Sequence, residues 1–163
     1  LYEFRVGLEE YLKNTNSKMK KIADIIDFNI KNKDIVMPYF EQDIFYKSVE
    51  STSYLKYLWS KYKLNKSYKS TKDLLEKYDL DAFIGLTRGP AWKINYDGGD
   101  YVAMNDSPQF GSGGYAAHNG MPHITIPYFE INKFPVGISI IGDRWSDKAI
   151  IEYASAIEKS RYN

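Results

Sequence analysis

Apolar positions along the chain change their period three times. Leu8, Tyr11 and Leu12, and then Ile22, Ile25, Ile26 and Ile30 with Asn29 among them, recur at helical spacing. Ala82 to Leu86 is a short consecutive apolar run. Two more runs, His123 to Pro127 and Val136 to Ile141, are rich in β-branched residues, and Pro122 and Pro135 stand at their entries. A proline suits a strand entry because its missing N–H does no harm there. After Ser146 the helical period returns at Ile150, Tyr153, Ala154 and Ile157.

These periods predict the elements. Leu1 to Val6 reads as the end of a strand or a strand-to-helix junction. Asn14 to Ser17 is a break, and Ser17 is a fitting N-cap for the helix that follows. Lys18, Lys20 and Lys21 then fall in that helix's first turn, against its dipole. Glu41 to Val49 reads as a short helix with Ile44, Phe45 and Val49 apolar. Ser53 to Lys69 carries a helical face of Tyr54, Leu55, Leu58, Trp59 and Tyr62 with lysines opposite, and Ser70 or Thr71 caps a separate helix over Lys72 to Tyr78. Ala82 to Leu86, apolar on both faces, reads as a buried parallel strand. The small residues of Gly113 to Gly120 predict a helix packed closely on a sheet. Two strands of that sheet follow, and Ser146 caps a last helix with Asp147 near its start and Lys159 and Arg161 in its last turn.

The fold class that results is α/β, helices packed on a mixed β-sheet, in a single domain spanning residues 1–163. Hydrophobic content of 44% is a globular value. The 22 basic and 21 acidic side chains nearly cancel, which gives no electrostatic case for nucleic acid or an anionic membrane. The lysine- and tyrosine-rich stretch therefore reads as a solvated amphipathic helix. There is no cysteine, hence no thiolate nucleophile and no disulfide framework, and a cytoplasmic location fits. No apolar run reaches a membrane span. The first residue is Leu, with no leader pattern after it, which suggests a start inside a longer protein.

Candidate chemistry is sparse. His118 and His123, the only histidines, lack the carboxylates of a metal site, and Asp97, Asp100 and Asp106 match no calcium loop. Neither metal nor cofactor is implied. Gly111-Ser-Gly-Gly114 has neither a phosphate-loop lysine nor nucleophile-elbow spacing, and reads as a loop. Asn95 to Ser112 is long for a compact domain. Thr87 to Trp92 is more pointed: a hydroxyl, a guanidinium and an indole leave the carboxyl end of a strand, where open α/β sheets hold their ligands. Thr87, Arg88, Gly89 and Trp92 are the substrate-pocket candidates, against the alternative that Trp92 simply closes the core.

Taken in order, several segments resemble the carboxy-terminal part of amidase signature hydrolases. Met37-Pro-Tyr-Phe-Glu-Gln-Asp-Ile-Phe45 is similar to the family's M-P-x-F-x-Q-x-I-F. Leu80-Asp-Ala-Phe-Ile-Gly-Leu-Thr87 is similar to its L-D-A strand, and Gly89-Pro-Ala-Trp92 to its G-P-A-W loop. Ala116-Ala-His-Asn-Gly-Met-Pro-His-Ile-Thr-Ile-Pro127 resembles A-A-x-A-G-x-P-x-I-T-V-P. Pro135-Val-Gly-Ile-Ser-Ile-Ile-Gly142 with Trp145-Ser146 resembles P-V-G-I-S-F-I-G and W-S-E. The first two segments, with Leu1-Tyr-Glu-Phe4, look more like the peptide-amidase branch than the tRNA-dependent branch.

The resemblance implies hydrolysis of a carboxamide C–N bond. A serine attacks, a second serine relays protons, and a lysine is the base. All three lie in an amino-terminal half whose Gly/Ser-rich signature is not found in this chain, so no catalytic residue is assigned here. Leu86, Arg88 and Asn119 depart from the family pattern. The implied partners are a small-molecule or peptide amide substrate and the amino-terminal half of the same protein. Self-association through an exposed sheet edge is also expected. The alternative function is an inactive relative that binds an amide or peptide, or a scaffold.

Overall fold

The computed structural model describes residues 1–97, 99–103 and 111–160. They divide into two compact units, residues 1–60 with 94–105 and residues 61–93 with 106–163.

The first unit is helical. It holds α1 (Tyr2–Lys13), α2 (Ile22–Lys31), α3 (Lys33–Val36), α4 (Asp43–Glu50) and the start of α5 (Tyr54–Lys77), with α6 (Gly99–Ala103) after the sheet's first strand. Leu1 to Val6 is therefore helix rather than strand. Its alternation over six residues is too short to set a period, and Tyr2 is held from outside the segment by a stacked ring, Tyr57, 4.7 Å away. Leu12, Ile22 and Ile26 are buried. So are two polar groups: Gln42 donates to the Ile26 carbonyl and accepts from Asn29, and the Ser48 hydroxyl donates to the Ile44 carbonyl.

Several local expectations are corrected. Helix α2 starts at Ile22, not after Ser17, and Ser17 instead accepts the Met19 N–H. The Asp24 carboxylate takes the Lys20 and Lys21 N–H groups, which holds its pKa below the ordinary carboxylate value. Lys20 does not oppose a dipole. Its ammonium donates to the Leu12 and Thr15 carbonyls at the end of α1, where a cation is favourable. Ile30 and, in α4, Ile44 and Val49 are exposed, so apolar spacing alone overstates what these helices bury.

Helix α5 is one continuous element of 24 residues. Thr71 does not cap a second helix; its hydroxyl turns back onto the Ser67 carbonyl at 3.0 Å, the bond that lets a threonine sit inside a helix.

The second unit is built on a three-stranded sheet of order β1–β3–β2, with β1 (Ala82–Leu86), β2 (His123–Ile131) and β3 (Phe134–Gly142), and both pairings are antiparallel. The α/β architecture of helices on a sheet is as expected. Strand β1 is not a buried parallel strand: it lies antiparallel at an edge, with Ile84 64% exposed and Leu86 43% exposed. Two apolar faces were the sign of burial, but nothing among the described residues covers these two side chains. β2 and β3 run further toward each other than their apolar cores suggested, meeting at a two-residue turn. Asn132 and Lys133 both have positive φ there, as a twist-matched hairpin turn requires. Pro127 sits at a bulge of the edge strand β2, and Pro135 lies beyond the stretch of β3 that pairs with β1, so neither breaks a ladder.

Helix α7 (Gly113–Asn119) precedes β2, as its small residues predicted, and ends on Gly120 in the left-handed conformation. Helix α8 (Asp147–Ser160) follows β3. Ser146 stands just before it; the Ser146 carbonyl accepts the Ile150 N–H and its hydroxyl donates to the Asp143 carbonyl. Arg161 lies outside the described residues.

The helices cover both faces of the sheet. On one, Ile150 and Ala154 of α8, with Tyr153 and Ile157, pack on Ile126, Ile138 and Ile140. On the other, Leu75 of α5 and Ala116 of α7 pack with Met121, Ile141 and Phe83. Each fully buried isoleucine contributes roughly 1.5–3 kcal/mol, so these two clusters hold the unit together.

Candidate functional site

The face of the sheet under α7 changes character along its length. The ladder sets three residues in a row across it. Phe83, Ile141 and His123 form one row, and Gly85, Ser139 and Thr125 the next. Just past β1, the Thr87 N–H bonds to the Gly137 carbonyl. Beyond Ile141 this face therefore carries hydroxyls and glycines where the α8 face carries isoleucines.

Four side chains there form a hydrogen-bonded cluster. His123 Nε2 lies 2.6 Å from Ser139 Oγ, Ser139 Oγ donates to Thr87 Oγ1 at 2.8 Å, and Thr87 Oγ1 donates to Thr125 Oγ1 at 3.2 Å. Thr125 Oγ1 and His123 Nε2, 3.5 Å apart, close the ring loosely. Ser139 is fully buried, while His123 and Thr125 reach the surface. Glycine makes the ring possible. A Cβ on Gly137 would stand 2.6 Å from the Thr125 methyl and 3.1 Å from Thr87 Oγ1.

The start of α7 is tied to the same place. Ser112 Oγ donates to the Leu86 carbonyl at 2.6 Å, and the Ser112 N–H bonds to the Thr87 carbonyl. Gly111 pairs with Arg88 in an isolated bridge. The Gly111–Gly114 segment is thus a strap along the end of β1, then the first turn of a helix, rather than a free loop.

The four pocket candidates separate into two groups. Thr87 joins the hydroxyl ring. Arg88 places its guanidinium over the Trp92 ring, 5.2 Å from the centroid, and Gly89 links the two. Trp92 is half-buried and stands in neither of the two core clusters of the described residues. Ser139 and Thr125 escaped sequence reasoning, and His123 was weighed there only as a metal ligand or as a structural or pocket-lining histidine. The one signal was a lone hydroxyl, Ser139, inside the apolar run Val136–Ile141.

A second polar assembly steadies the far end of α7. Tyr68 donates to Asp143 at 2.7 Å, which pushes the phenol's pKa up, and the Arg144 guanidinium lies 3.6 Å over the Tyr68 ring. Arg144 also donates twice to the Asn119 carbonyl. Asn119 itself is buried, its amide nitrogen bonded to the Tyr115 carbonyl. His118 is exposed on α7, away from this assembly's bonds. Among the described residues no three or more His, Cys, Asp or Glu side chains cluster as metal ligands. Asp100 falls in α6 and Asp106 lies outside the described residues. No described helix is long and apolar enough to cross a membrane.

No family model matches the chain. Over 45 residues, 27% of its length, it is 44% identical to a glutamyl-tRNA(Gln) amidotransferase subunit of Thermotoga maritima, and the matched stretch is 10% of that protein. Solved structures match almost all of the chain. The structure of PAM12A superposes on 98% of it with a TM-score of 0.87 and 29% identity. The native peptide amidase of Stenotrophomonas maltophilia does so with a TM-score of 0.81 and 28% identity, and the peptide amidase in complex with the competitive inhibitor chymostatin with 0.80 and 28%. The chain spans about a third of the length of these structures, 31–32%. In fold it corresponds to the carboxy-terminal part of a peptide amidase, the relationship its motifs suggested.

Proposed function

We propose that the chain is the carboxy-terminal portion of an amidase that hydrolyses the C–N bond of a carboxamide. In this reading a serine–serine–lysine triad lies in an amino-terminal half beyond this chain. The chain supplies one pocket wall and three strands, and no catalytic residue. The observation that carries the reading is the superposition of 98% of the chain on about a third of a peptide amidase, at TM-scores of 0.80 and 0.81. The inhibitor complex of one such enzyme makes a small-molecule or peptide amide the fitting substrate class.

The open edge of β1 agrees with it. Ile84 and Leu86 are exposed there, and an open hollow of about 350 Å³ runs beside Ile84 between β1 and α8. An unpaired strand edge with apolar side chains invites another strand. The amino-terminal half would cover it in the intact protein, and a second copy would do so in its absence. The pocket wall is Thr87, Arg88, Gly89 and Trp92: a hydroxyl and a guanidinium beside an aromatic ring can hold an amide by hydrogen bonds and a side chain by contact.

Three measurements test this. The coding region upstream of Leu1 should encode a lysine and a Gly/Ser-rich serine signature; a start codon directly before Leu1 would favour the inactive scaffold instead. The chain alone should release no ammonia from a peptide amide and should self-associate in light scattering, and a strictly monomeric species at high concentration would count against the open edge.

A further inference from the structure

The hydroxyl ring has a direction. Ser139 donates to Thr87, and Thr87 donates to Thr125. A hydroxyl has one proton, so Ser139 has none left for His123. The 2.6 Å contact between them then needs the proton on His123 Nε2. That in turn stops Nε2 from accepting the Thr125 proton. The chain of donors runs His123, Ser139, Thr87, Thr125, and the last hydroxyl keeps a proton that nothing in the ring accepts. Thr125 is exposed, so that proton is offered outward, beside Thr87.

Resting on the amidase reading, we infer that Thr125 is a substrate-binding residue, and that Ser139 and His123 are positioning residues that fix its hydroxyl as a hydrogen-bond donor. The group it suits is a carbonyl oxygen. In the amidase reading the serine that attacks the scissile carbonyl lies outside this chain. The Thr125 proton therefore serves a second, unreacting carbonyl, which a peptide-type amide has and a simple amide lacks. The ring also accounts for a buried serine in an otherwise apolar strand: Ser139 holds the donor direction between a histidine and two threonines. Reversal of the ring would leave Thr125 as an acceptor, which repels a carbonyl. A histidine tautomer thus sets what this wall recognises.

Two experiments decide it. In the first, His118→Gln leaves His123 as the single histidine, and its imidazole is read by two-bond proton–nitrogen correlation spectra of this chain. The expected result is an Nε2–H proton that exchanges slowly with water in the parent background and rapidly in Ser139→Ala. A proton on Nδ1, or no change with Ser139→Ala, overturns the ring. In the second, the full-length protein is assayed with an N-acetylated amino-acid amide and with a simple aromatic amide that has no second carbonyl. Thr125→Val should raise KM roughly tenfold for the first, about the worth of one hydrogen bond, with kcat unchanged. It should leave the second alone, and Thr125→Ser should restore the first. Equal effects on both substrates, or none, overturn the role of Thr125 while the amidase reading stands. A full-length protein that releases ammonia from neither substrate overturns the amidase reading and with it the role of Thr125, while the spectra still decide the ring.

Discussion

The two faces of the sheet use the same three strands for different ends. The α8 face is uniform: Ile126, Ile138 and Ile140 meet Ile150 and Ala154, and a clean helical stripe covers them. The α7 face starts in the same way, with Phe83 and Ile141 under Ala116 and Leu75, and then breaks off into hydroxyls, a histidine and two glycines. Hydroxyls in a sheet interior must be paired to be tolerated, and an isoleucine in place of Ser139 would contribute more burial. The difference separates what holds the unit together from what it presents.

Substitutions can sharpen that contrast. The largest effect belongs to the α8 face. Ile150→Ala removes a side chain only 3% exposed, and should cost about 2–5 kcal/mol in urea unfolding while leaving the His123 imidazole signals where they are. Gly137→Val comes next. Its branched side chain would enter the space of Thr125 and Thr87, costing about 1–3 kcal/mol and abolishing the slow Nε2–H exchange of His123. If that exchange survives, the ring does not depend on the gap that Gly137 leaves. Thr125→Val, at an exposed position, should change stability by no more than about 0.5 kcal/mol. Its effect should appear in KM alone.

The smallest effect concerns pH. The Tyr68 hydroxyl donates to Asp143, and its pKa is raised by that bond first, then by burial. A raised folded value means that the bond's stability is complete below the ordinary phenol value of 10.0 and is lost as pH rises through the folded one. Tyr68→Phe should flatten that alkaline limb of a stability profile and leave neutral pH nearly unchanged. An unaltered limb would show that Tyr68 does not report on the far end of α7.

The α8 face was legible in the sequence because periodicity is its whole content. Ile150, Tyr153, Ala154 and Ile157 announce a helix, and the small residues from Gly113 to Gly120 announce close packing on the strands that follow. The α7 face was legible in the small residues of its helix, at Thr87 and, without a role, at His123. Its other members come from three strand segments, and their neighbours are set by register. A one-residue slip would send Ser139 to the isoleucine side, and no local pattern fixes that register before the hairpin turn at Asn132 and Lys133 is known. Strand β1 misled for a related reason. Ile84 and Leu86 signal burial, but nothing among the described residues covers them. The first unit misled through polar groups. Lys20 and Asp24 look misplaced by spacing, yet one satisfies the end of α1 and the other takes the free N–H groups before α2.

The most direct test of the account is ammonia release from a peptide amide by the full-length protein, measured beside its Gly137→Val and Ile150→Val variants. The account predicts that ammonia appears together with the free carboxylate. It predicts that Gly137→Val raises KM while Ile150→Val, a milder change on the other face, does not. Absence of ammonia, or an equal rise in KM from both variants, would contradict it.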